Sequence, residues 1–298
     1  RKRLYSFRCS GQYSAKGLEY SVRIDYVCTN FNNSDDTIAA VNSLRNGDGR
    51  DCRVIVVDNS STESELAKLR NFCDGDSLVT LVSLETNVGY FSGLNVGLDE
   101  LSKCEGPIDV VVVGNNDLLF SADFCASVEK IAHRFDRYSV VSPDIVTSDG
   151  DHQNPHVIHG ISRLRELMYD LFHFSYWFAL VTRKIVALLG GVVRRGDEDQ
   201  HATAMEINQG HGSCYLLGPL FFEKYGSLWA PTFLFGEEYF LSLQLERQGE
   251  KVFYDPGVTV THAWHSSIQN LPSRRQWELA RNAHLIYRRH NPIWGDKR

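Results

Sequence analysis

The stretch Asp109-Val-Val-Val-Val-Gly-Asn-Asn-Asp117 joins a short run of β-branched residues to a polar end. Four consecutive valines are typical of a strand that is buried on both faces, as in a parallel sheet. Val54-Ile-Val-Val-Asp58 repeats the pattern. The stretches Val22 to Cys28 and Leu78 to Leu84 predict two further strands in the first half of the chain.

Helical patterns separate these strands. Glycines lead into a helix over Gly89 to Leu101, and Thr37 to Arg45 predicts a helix that Asp35 or Asp36 caps. A capping-box pattern opens another helix at Ser60-Ser-Thr-Glu63. A fourth helix is indicated by apolar residues spaced four, three and four apart, namely Phe124, Val128, Ile131 and Phe135. Strands that alternate with helices predict an α/β fold with a mostly parallel sheet.

Composition excludes several classes of protein. The 298 residues are 43% hydrophobic and carry a formal net charge of −6, which argues against a nucleic-acid partner because such proteins need a basic surface. Seven scattered cysteines include no C-x-x-C pair, so a zinc ribbon or redox motif is not expected. Their odd number and apolar surroundings predict reduced thiols in a cytoplasmic protein.

The second half, after a polar break at Thr147 to His159, is less regular. We expect a helix from Glu237 to Gly249, two short strands at Val252 to Tyr254 and Val258 to Thr261, and a terminal helix. Leu167 to Val193 is the most apolar stretch, but charged residues interrupt it, so it predicts a buried helix rather than a membrane span. Its crowded aromatic residues leave a membrane-facing surface as the alternative.

Polar clusters follow the strands of the first half. They are Thr29-Asn-Phe-Asn32, Asp58-Asn-Ser-Ser61 and Asn115-Asn-Asp117. Ligands bind beyond the carboxyl ends of strands in an open parallel sheet, so three such clusters predict a site at this edge. Two interpretations of Asp58 stand: it binds a nucleobase or ribose, or it caps the next helix. Phe31 is either a stacking platform for a base or a core residue.

The segment Asn87-Val-Gly-Tyr-Phe-Ser-Gly-Leu-Asn-Val-Gly97 carries glycines at every fourth position. On a helix, this spacing allows a backbone or a ligand to approach closely. The segment has neither the G-x-G-x-x-G pattern of dehydrogenases nor the G-x-x-x-x-G-K-[ST] pattern of P-loop proteins. It therefore favours neither of those nucleotide-binding classes.

Four other residues are candidates for metal binding or catalysis. Asp117, which follows a buried strand, suits a hard divalent cation that a diphosphate also binds, or forms an Asx-turn. Glu237 and Glu238 follow aromatic residues at a helix start, where one of them acts as a general base or both favour the helix dipole. His262 ends a strand and is a metal ligand or a structural histidine.

Five motifs in this order resemble the family 2 glycosyltransferases, and their rhamnosyltransferase-like members most. They are Asp58 after V-I-V-V, N-V-G-Y-F-S-G-L-N-V-G-L, V-V-V-V-G-N-N-D, F-G-E-E-Y-F-L-S-L and V-T-H-A-W-H-S-S with a later A-R-N-A. The resemblance spans about Val22 to Pro292. It implies one GT-A domain with a Rossmann-like, mostly parallel sheet, a nucleotide-sugar-binding half at 20–146 and an acceptor-binding half at 147–298.

The resemblance also implies roles for individual residues. It places Thr29, Phe31 and Asp58 at the nucleobase, and Asn87, Gly89 and Asn95 along the nucleotide. Asn115-Asn116-Asp117 matches the D-x-D motif, whose last aspartate binds Mg²⁺ or Mn²⁺, and His262 completes the metal site. Glu238 matches the catalytic base, with Glu237 as the alternative, and Arg281 with Asn282 matches an R-N pair in the terminal helix. Because aromatic faces suit sugar rings, we expect the acceptor pocket to be shaped by Tyr215, Trp229, Trp264 and the Leu167 to Val193 helix.

The implied reaction is inverting transfer of one sugar from a dTDP- or UDP-sugar to a glycan or lipid-linked glycan in polysaccharide biosynthesis. Rhamnose is the sugar that the resemblance suggests. Three departures from the family pattern bear on this expectation: Asn115 replaces an aspartate, Glu238 replaces an aspartate, and Q-x-x-R-W is absent at Arg274-Arg-Gln-Trp277. The last departure favours single addition over polymerisation. Two other functions compete with this one: a sugar nucleotidyltransferase and a non-catalytic binding module. If the acceptor is lipid-linked, we expect peripheral association with the inner face of the cytoplasmic membrane.

Overall fold

The computed structural model describes residues 22–49, 51–104, 106, 108–188, 197–263 and 273–293, apart from the side chains of 185–188 and 198. Nine strands in this part of the chain form one sheet in the order β3-β2-β1-β4-β8-β6-β9-β5, with β7 on β9. The strands are β1 Ile24–Asn30, β2 Val54–Asp58, β3 Val79–Ser83, β4 Val110–Asn115, β5 Leu118–Phe120, β6 Val140–Thr147, β7 Met205–Ile207, β8 Cys214–Leu217 and β9 Val252–His262.

The first four strands are parallel, as the valine runs predict. Alternate residues of β2 face two separate cores: Val54 and Val56 pack on one side of the sheet, Ile55 and Val57 on the other. The register pairs Asn30 with Asp58 and Thr29 with Asn115, so the polar ends of β1, β2 and β4 meet at one edge. The expected α/β sheet flanked by helices is confirmed.

The helices of the described residues are α1 Ser34–Arg45, α2 Glu63–Cys73, α3 Tyr90–Leu101, α4 Phe124–Lys130, α5 Arg163–Phe174, α6 Tyr176–Leu188, α7 Pro219–Lys224, α8 Glu237–Glu246 and α9 Ser273–His290. Two predicted caps are wrong. Asp35 and Asp36 lie inside the first turn of α1, and α2 starts after Thr62, which makes no side-chain cap bond. The fourth predicted helix ends at Lys130, and a 3₁₀ turn at Ala132–Asp136 carries its last apolar residue.

The second half departs from expectation in two places. The two strands expected after Gly249 are one strand, β9, whose pairing with β6 shifts register between Pro143 and Asp144. The apolar stretch expected to form one buried helix forms α5 and α6 instead. The outer face of this pair is exposed, with Trp177 76% accessible. The prediction of a buried helix is therefore wrong, because only the inner face of the pair is covered, where α5 packs against α9.

No helix among the described residues is both long enough and apolar enough to cross a bilayer.

Candidate functional site

A buried polar network joins the ends of three neighbouring strands. The amide group of Asn30 donates to Asp58 Oδ1 at 2.8 Å and to Ser61 Oγ at 3.0 Å. Its carbonyl oxygen accepts hydrogen bonds from Thr37 at 2.9 Å and from Asn116 at 3.2 Å. Each buried polar atom of Asn30 is satisfied, so the network fixes the sheet edge in one arrangement.

The side chains of Asp58 and Asn116 both lie inside this network. Asp58 is fully buried, and its second oxygen accepts the backbone N–H of Ser61 at 3.0 Å. Asn116 also donates to the Asn33 carbonyl oxygen at 3.1 Å. The structure thus shows Asp58 holding the turn that precedes α2, which is close to the capping interpretation. Nucleotide contact by either residue stays a prediction.

Thr29 and Phe31 flank Asn30 and therefore point away from it. The Thr29 methyl group packs against α3, where a Cβ added at Gly93 would lie 2.7 Å from it. Phe31 is 39% exposed at the end of β1, so the core interpretation of this ring is wrong. A partly exposed aromatic ring beside this polar network suits stacking on a nucleobase.

The loop before α3 is held by side chains from two directions. The amide of Asn59 accepts the Val88 N–H at 2.8 Å and donates to the Gly89 carbonyl oxygen at 3.0 Å. Asn87 accepts the N–H of Gly89 at 3.0 Å. Gly89 has a φ of 92°, and a Cβ there would collide with the Phe233 carbonyl oxygen. Only glycine fits this position without strain.

The remaining positions of this motif serve packing. A Cβ at Gly97 would strike Val27 and Val57, so this glycine lets α3 lie close on the sheet. Asn95 donates to the Leu228 carbonyl oxygen at 2.8 Å and accepts the Leu228 N–H at 2.9 Å. Its amide therefore ties α3 to the segment before α8, and its predicted place along the nucleotide is untested.

Asp117 and His262 come together as the metal prediction requires. Asp117 Oδ1 lies 3.2 Å from His262 Nε2, and both side chains are buried. Neither carboxylate oxygen of Asp117 has a hydrogen-bond partner among the described residues. Buried carboxylate oxygens without partners are costly unless a cation or another ligand satisfies them. The pair therefore fits a divalent cation.

Gln153 orients the histidine of this pair. Its side-chain oxygen lies 2.8 Å from His262 Nδ1, and an amide oxygen only accepts, so Nδ1 carries the proton. With that hydrogen bond made, the ring directs Nε2 towards Asp117 and towards the side-chain amide of Asn115, 3.3 Å away. Sequence reasoning missed Gln153, because it lies 109 residues before His262 in a stretch that reads as a polar loop.

The two glutamates at the start of α8 have different surroundings. Glu237 is buried, and burial first and the charge of Glu238 second raise its pKa to about 8. Glu237 Oε1 also has no hydrogen-bond partner among the described residues. Glu238 is partly exposed and lies against Gly212, where a Cβ would be 2.8 Å from Oε1. At neutral pH, Glu237 is therefore mainly protonated, and Glu238 is the more accessible of the two carboxyl groups.

Tyr90 of α3 contacts the segment against which Glu238 lies. Its hydroxyl donates to the Gly212 carbonyl oxygen at 3.0 Å. Burial raises its pKa most, and the charges of Glu237 and Asp117 raise it further. Sequence reasoning missed Tyr90 as well. We find no pattern around it that separates it from a core aromatic residue.

Residues predicted at the acceptor side are more dispersed. Tyr215 is buried and donates to the Gly210 carbonyl oxygen at 2.7 Å, so it is a core residue and does not line an open pocket. Trp229 packs edge-on against Phe240 of α8, and Trp264 lies outside the described residues. Arg281 donates to the His173 carbonyl oxygen at 3.1 Å, which ties α9 to the end of α5.

Comparison with known proteins shows the family of this chain and its fold. The family model described as "Glycosyl transferase family 2" matches residues 26–189. A crystal structure of GalNAc-T7 with UDP, GalNAc and Mn²⁺ has a TM-score of 0.62 and 14% identity, over 90% of this chain and 48% of that one. This chain thus spans about half the length of GalNAc-T7.

A second solved structure is the mannosyltransferase PcManGT from Pyrobaculum calidifontis with GDP-Man and Mn²⁺. It has a TM-score of 0.54 and 16% identity, over 100% of this chain and 70% of that one. At these identities the likeness shows a shared fold. No curated protein matches the sequence.

Proposed function

The chain belongs to glycosyl transferase family 2, and on that premise we propose that it moves a sugar from a nucleotide-sugar to an acceptor hydroxyl with inversion. The supporting observation is the meeting of Asp117 with His262, which Gln153 orients. Beside them, Glu238 lies against Gly212, whose carbonyl oxygen accepts the Tyr90 hydroxyl. The division into a nucleotide-sugar half (20–146) and an acceptor half (147–298) belongs to the same proposal.

Asp117 and His262 would hold Mg²⁺ or Mn²⁺, with Gln153 fixing the imidazole. When bound there, the cation supplies positive charge that stabilises the diphosphate leaving group. GalNAc-T7 and PcManGT were both solved with Mn²⁺, which supports the proposal without deciding between the two metals. The asparagine at position 115 leaves Asp117 as the single carboxylate of its motif.

Glu238 is the proposed general base. Its carboxylate reaches the site surface, whereas Glu237 is buried and holds its proton at neutral pH. Glu238 would remove the proton of the acceptor hydroxyl as the oxygen attacks the anomeric carbon. Glu237, as a neutral neighbour, adds no competing charge to that step. This choice between the two residues rests on their burial, which the sequence does not reveal.

The donor can be identified before the acceptor is known. We propose a dTDP- or UDP-sugar, with dTDP-rhamnose as the first to test, and Phe31 and Asp58 at the base. A thermal-shift screen of dTDP-, UDP- and GDP-sugars, with and without Mn²⁺, should show a rise in Tm for the true donor, because a ligand that binds only the folded chain stabilises it. Equal shifts for all three nucleotides would remove the base-recognition proposal.

The decisive test compares matched variants of the adjacent glutamates. Glu238→Gln should lower transfer by at least about 100-fold while the donor-induced rise in Tm persists. Glu237→Gln should keep transfer within a few-fold of the unsubstituted chain. Transfer is followed as nucleotide release that depends on a glycan or lipid-linked acceptor. Normal transfer by Glu238→Gln would remove Glu238 from the mechanism.

The competing functions give different results in the same assays. A non-catalytic module, which the Asn-Asn-Asp motif keeps as the alternative, would bind the donor but release no nucleotide in the presence of Mn²⁺. A sugar nucleotidyltransferase would consume a nucleoside triphosphate. Metal-dependent cleavage of the nucleotide-sugar would separate the transferase from both.

We also propose that the outer face of α5 and α6 rests on an anionic lipid surface, which would bring the site to a lipid-linked acceptor at the inner face of the cytoplasmic membrane. This face carries exposed apolar side chains, namely Leu164, Leu167, Met168, Leu171, Phe174, Trp177, Phe178 and Val181. The exposed cations Arg163, Arg183 and Lys184 flank them, while the two acids of this segment, Glu166 and Asp170, bond to α9.

The charges favour a lipid surface over a second copy of the chain. A symmetric dimer through this face would bring its cations against their own copies, whereas anionic headgroups would neutralise them. Trp177→Glu should abolish flotation with vesicles that contain phosphatidylglycerol, and Leu119→Glu, an exposed control on β5, should not. Equal flotation of both variants, or a dimer that Trp177→Glu dissociates, would overturn the membrane assignment.

A further inference from the structure

A second cluster of potential metal ligands lies outside the proposed catalytic site. Asp144 of β6, His152 after β6 and His201 before β7 each offer one ligand atom, and these atoms all lie within 4.8 Å of one another. His152 Nδ1 is 2.9 and 3.0 Å from the two oxygens of Asp144. The rings of His152 and His201 are stacked, with centroids 3.6 Å apart and planes 16° apart.

These distances suit shared coordination. Ligand atoms in a tetrahedral Zn²⁺ site, each about 2.1 Å from the metal, are about 3.4 Å apart. The three ligand atoms here all lie within 4.8 Å of one another, so small side-chain rotations, including the turning of one stacked ring, would bring them to one ion. Asp144 is buried and both histidines are partly exposed, so the cluster has one charged ligand inside and an opening to solvent. Three protein ligands leave a fourth, solvent-facing position, which water would fill in a tetrahedral Zn²⁺ site.

Tyr254 of β9 contacts two of the three residues of this cluster. It is fully buried, and its hydroxyl donates to the His201 carbonyl oxygen at 2.5 Å. Its pKa is raised, by burial first and then by the charge of Asp144, which shows that this carboxylate lies beside the same hydroxyl. One buried side chain therefore positions two of the three ligands, as surrounding residues do in preorganised metal sites.

The cluster is separate from Asp117 and His262. Thr147 pairs with His262 and Asp144 pairs with Thr259 in the parallel ladder of β6 and β9. Asp144 and Thr147 are three residues apart in one strand, so their side chains point to opposite faces of the sheet. The next stretch agrees: Gln153 reaches His262, while its neighbour His152 reaches Asp144.

We propose that Asp144, His152 and His201 form a second metal site that binds Zn²⁺ or a similar late first-row ion and fastens the segment around His201 to β6. Two imidazoles and one carboxylate favour such ions over Mg²⁺, which prefers oxygen ligands alone. The site is structural and has no part in the sugar-transfer step. Through the His152–Gln153 backbone it lies next to the residue that orients His262.

The test uses the untagged chain, stripped of metal with a chelator and then passed through a desalting column with Zn²⁺. Elemental analysis should give about one Zn²⁺ that remains bound in Asp117→Ala, which lacks the proposed catalytic ligand. His201→Ala in that background should lower Zn²⁺ affinity more than about tenfold. His159→Ala, an exposed histidine in the stretch between β6 and α5, should leave it unchanged.

A second measurement covers the case in which His201→Ala folds poorly. Co²⁺ bound to the Asp117→Ala chain should give a visible absorption band that His152→Asn removes, while far-ultraviolet circular dichroism verifies the fold. Zn²⁺ binding that disappears with Asp117→Ala, or that survives both histidine substitutions, would overturn the proposal. Either result leaves the proposed transferase untouched, because nucleotide-sugar binding and transfer are measured separately with Mn²⁺.

Discussion

Replacing Glu237 by Gln should make the chain more stable at alkaline pH. Burial and the neighbouring charge of Glu238 raise the Glu237 pKa from 4.5 to about 8. Between these values the folded chain keeps the proton that the unfolded chain has lost, so the free energy of unfolding falls as pH rises. A shift of about 3.5 pH units at about 1.4 kcal/mol each gives a loss of about 5 kcal/mol by pH 8. Glutamine, which cannot ionise, avoids this loss.

Urea denaturation at pH 5 and pH 8.5 measures the effect. The unsubstituted chain should lose stability between the two, whereas Glu237→Gln should lose about 3–5 kcal/mol less. Glu63→Gln is the matched control, because Glu63 also begins a helix but is exposed, and its substitution should change stability by under about 1 kcal/mol at both pH values. Parallel losses in Glu237→Gln and the unsubstituted chain would refute the raised pKa.

Three further substitutions test the geometry of the site. Gln153→Ala should weaken Mn²⁺ binding about 10–100-fold, measured by electron paramagnetic resonance, because His262 loses the partner that fixes its proton; unchanged affinity would contradict this role. Gly89→Ala should cost about 2–4 kcal/mol in urea denaturation and Gly75→Ala about 1–2, since both have a positive φ but only Gly89 faces another backbone; equal costs would dismiss the close contact. Asn30→Ala should cost about 2–4 kcal/mol by the same method, because it removes the shared partner of a buried network, and a cost below about 1 kcal/mol would show that the network relaxes.

Local patterns in the sequence predict the first half of the fold. Runs of β-branched residues such as Val110 to Val113 have few alternatives to a buried parallel strand, and polar residues placed directly after them must share one edge. Resemblance to a family, rather than spacing, groups Asp117 with His262, and their side chains lie 3.2 Å apart. The strand predictions succeed because they depend on the sheet, which the strand pattern largely determines.

Contacts between distant segments escape the sequence. Neither the Gln153–His262 bond nor the meeting of Asp144 with His201 has a fixed spacing that a pattern could detect. The apolar content of Leu167 to Val193 predicts a buried helix wrongly for a related reason. The stretch around Trp177 has the composition of a buried helix. Whether it is covered depends on how much of its surface packs against α9. Burial of this kind is a property of the assembled fold.

The contacts between the α3 loop and the segment before α8 have a kinetic consequence. The N–H of Tyr90 donates to the Phe233 carbonyl oxygen at 3.0 Å, and Asn95 holds Leu228 through two hydrogen bonds. This segment runs directly into Gly236 and the two glutamates. A donor that orders the loop before α3 would also order the segment that carries the proposed base. We therefore expect an ordered sequential mechanism in which the nucleotide-sugar binds first and the acceptor second.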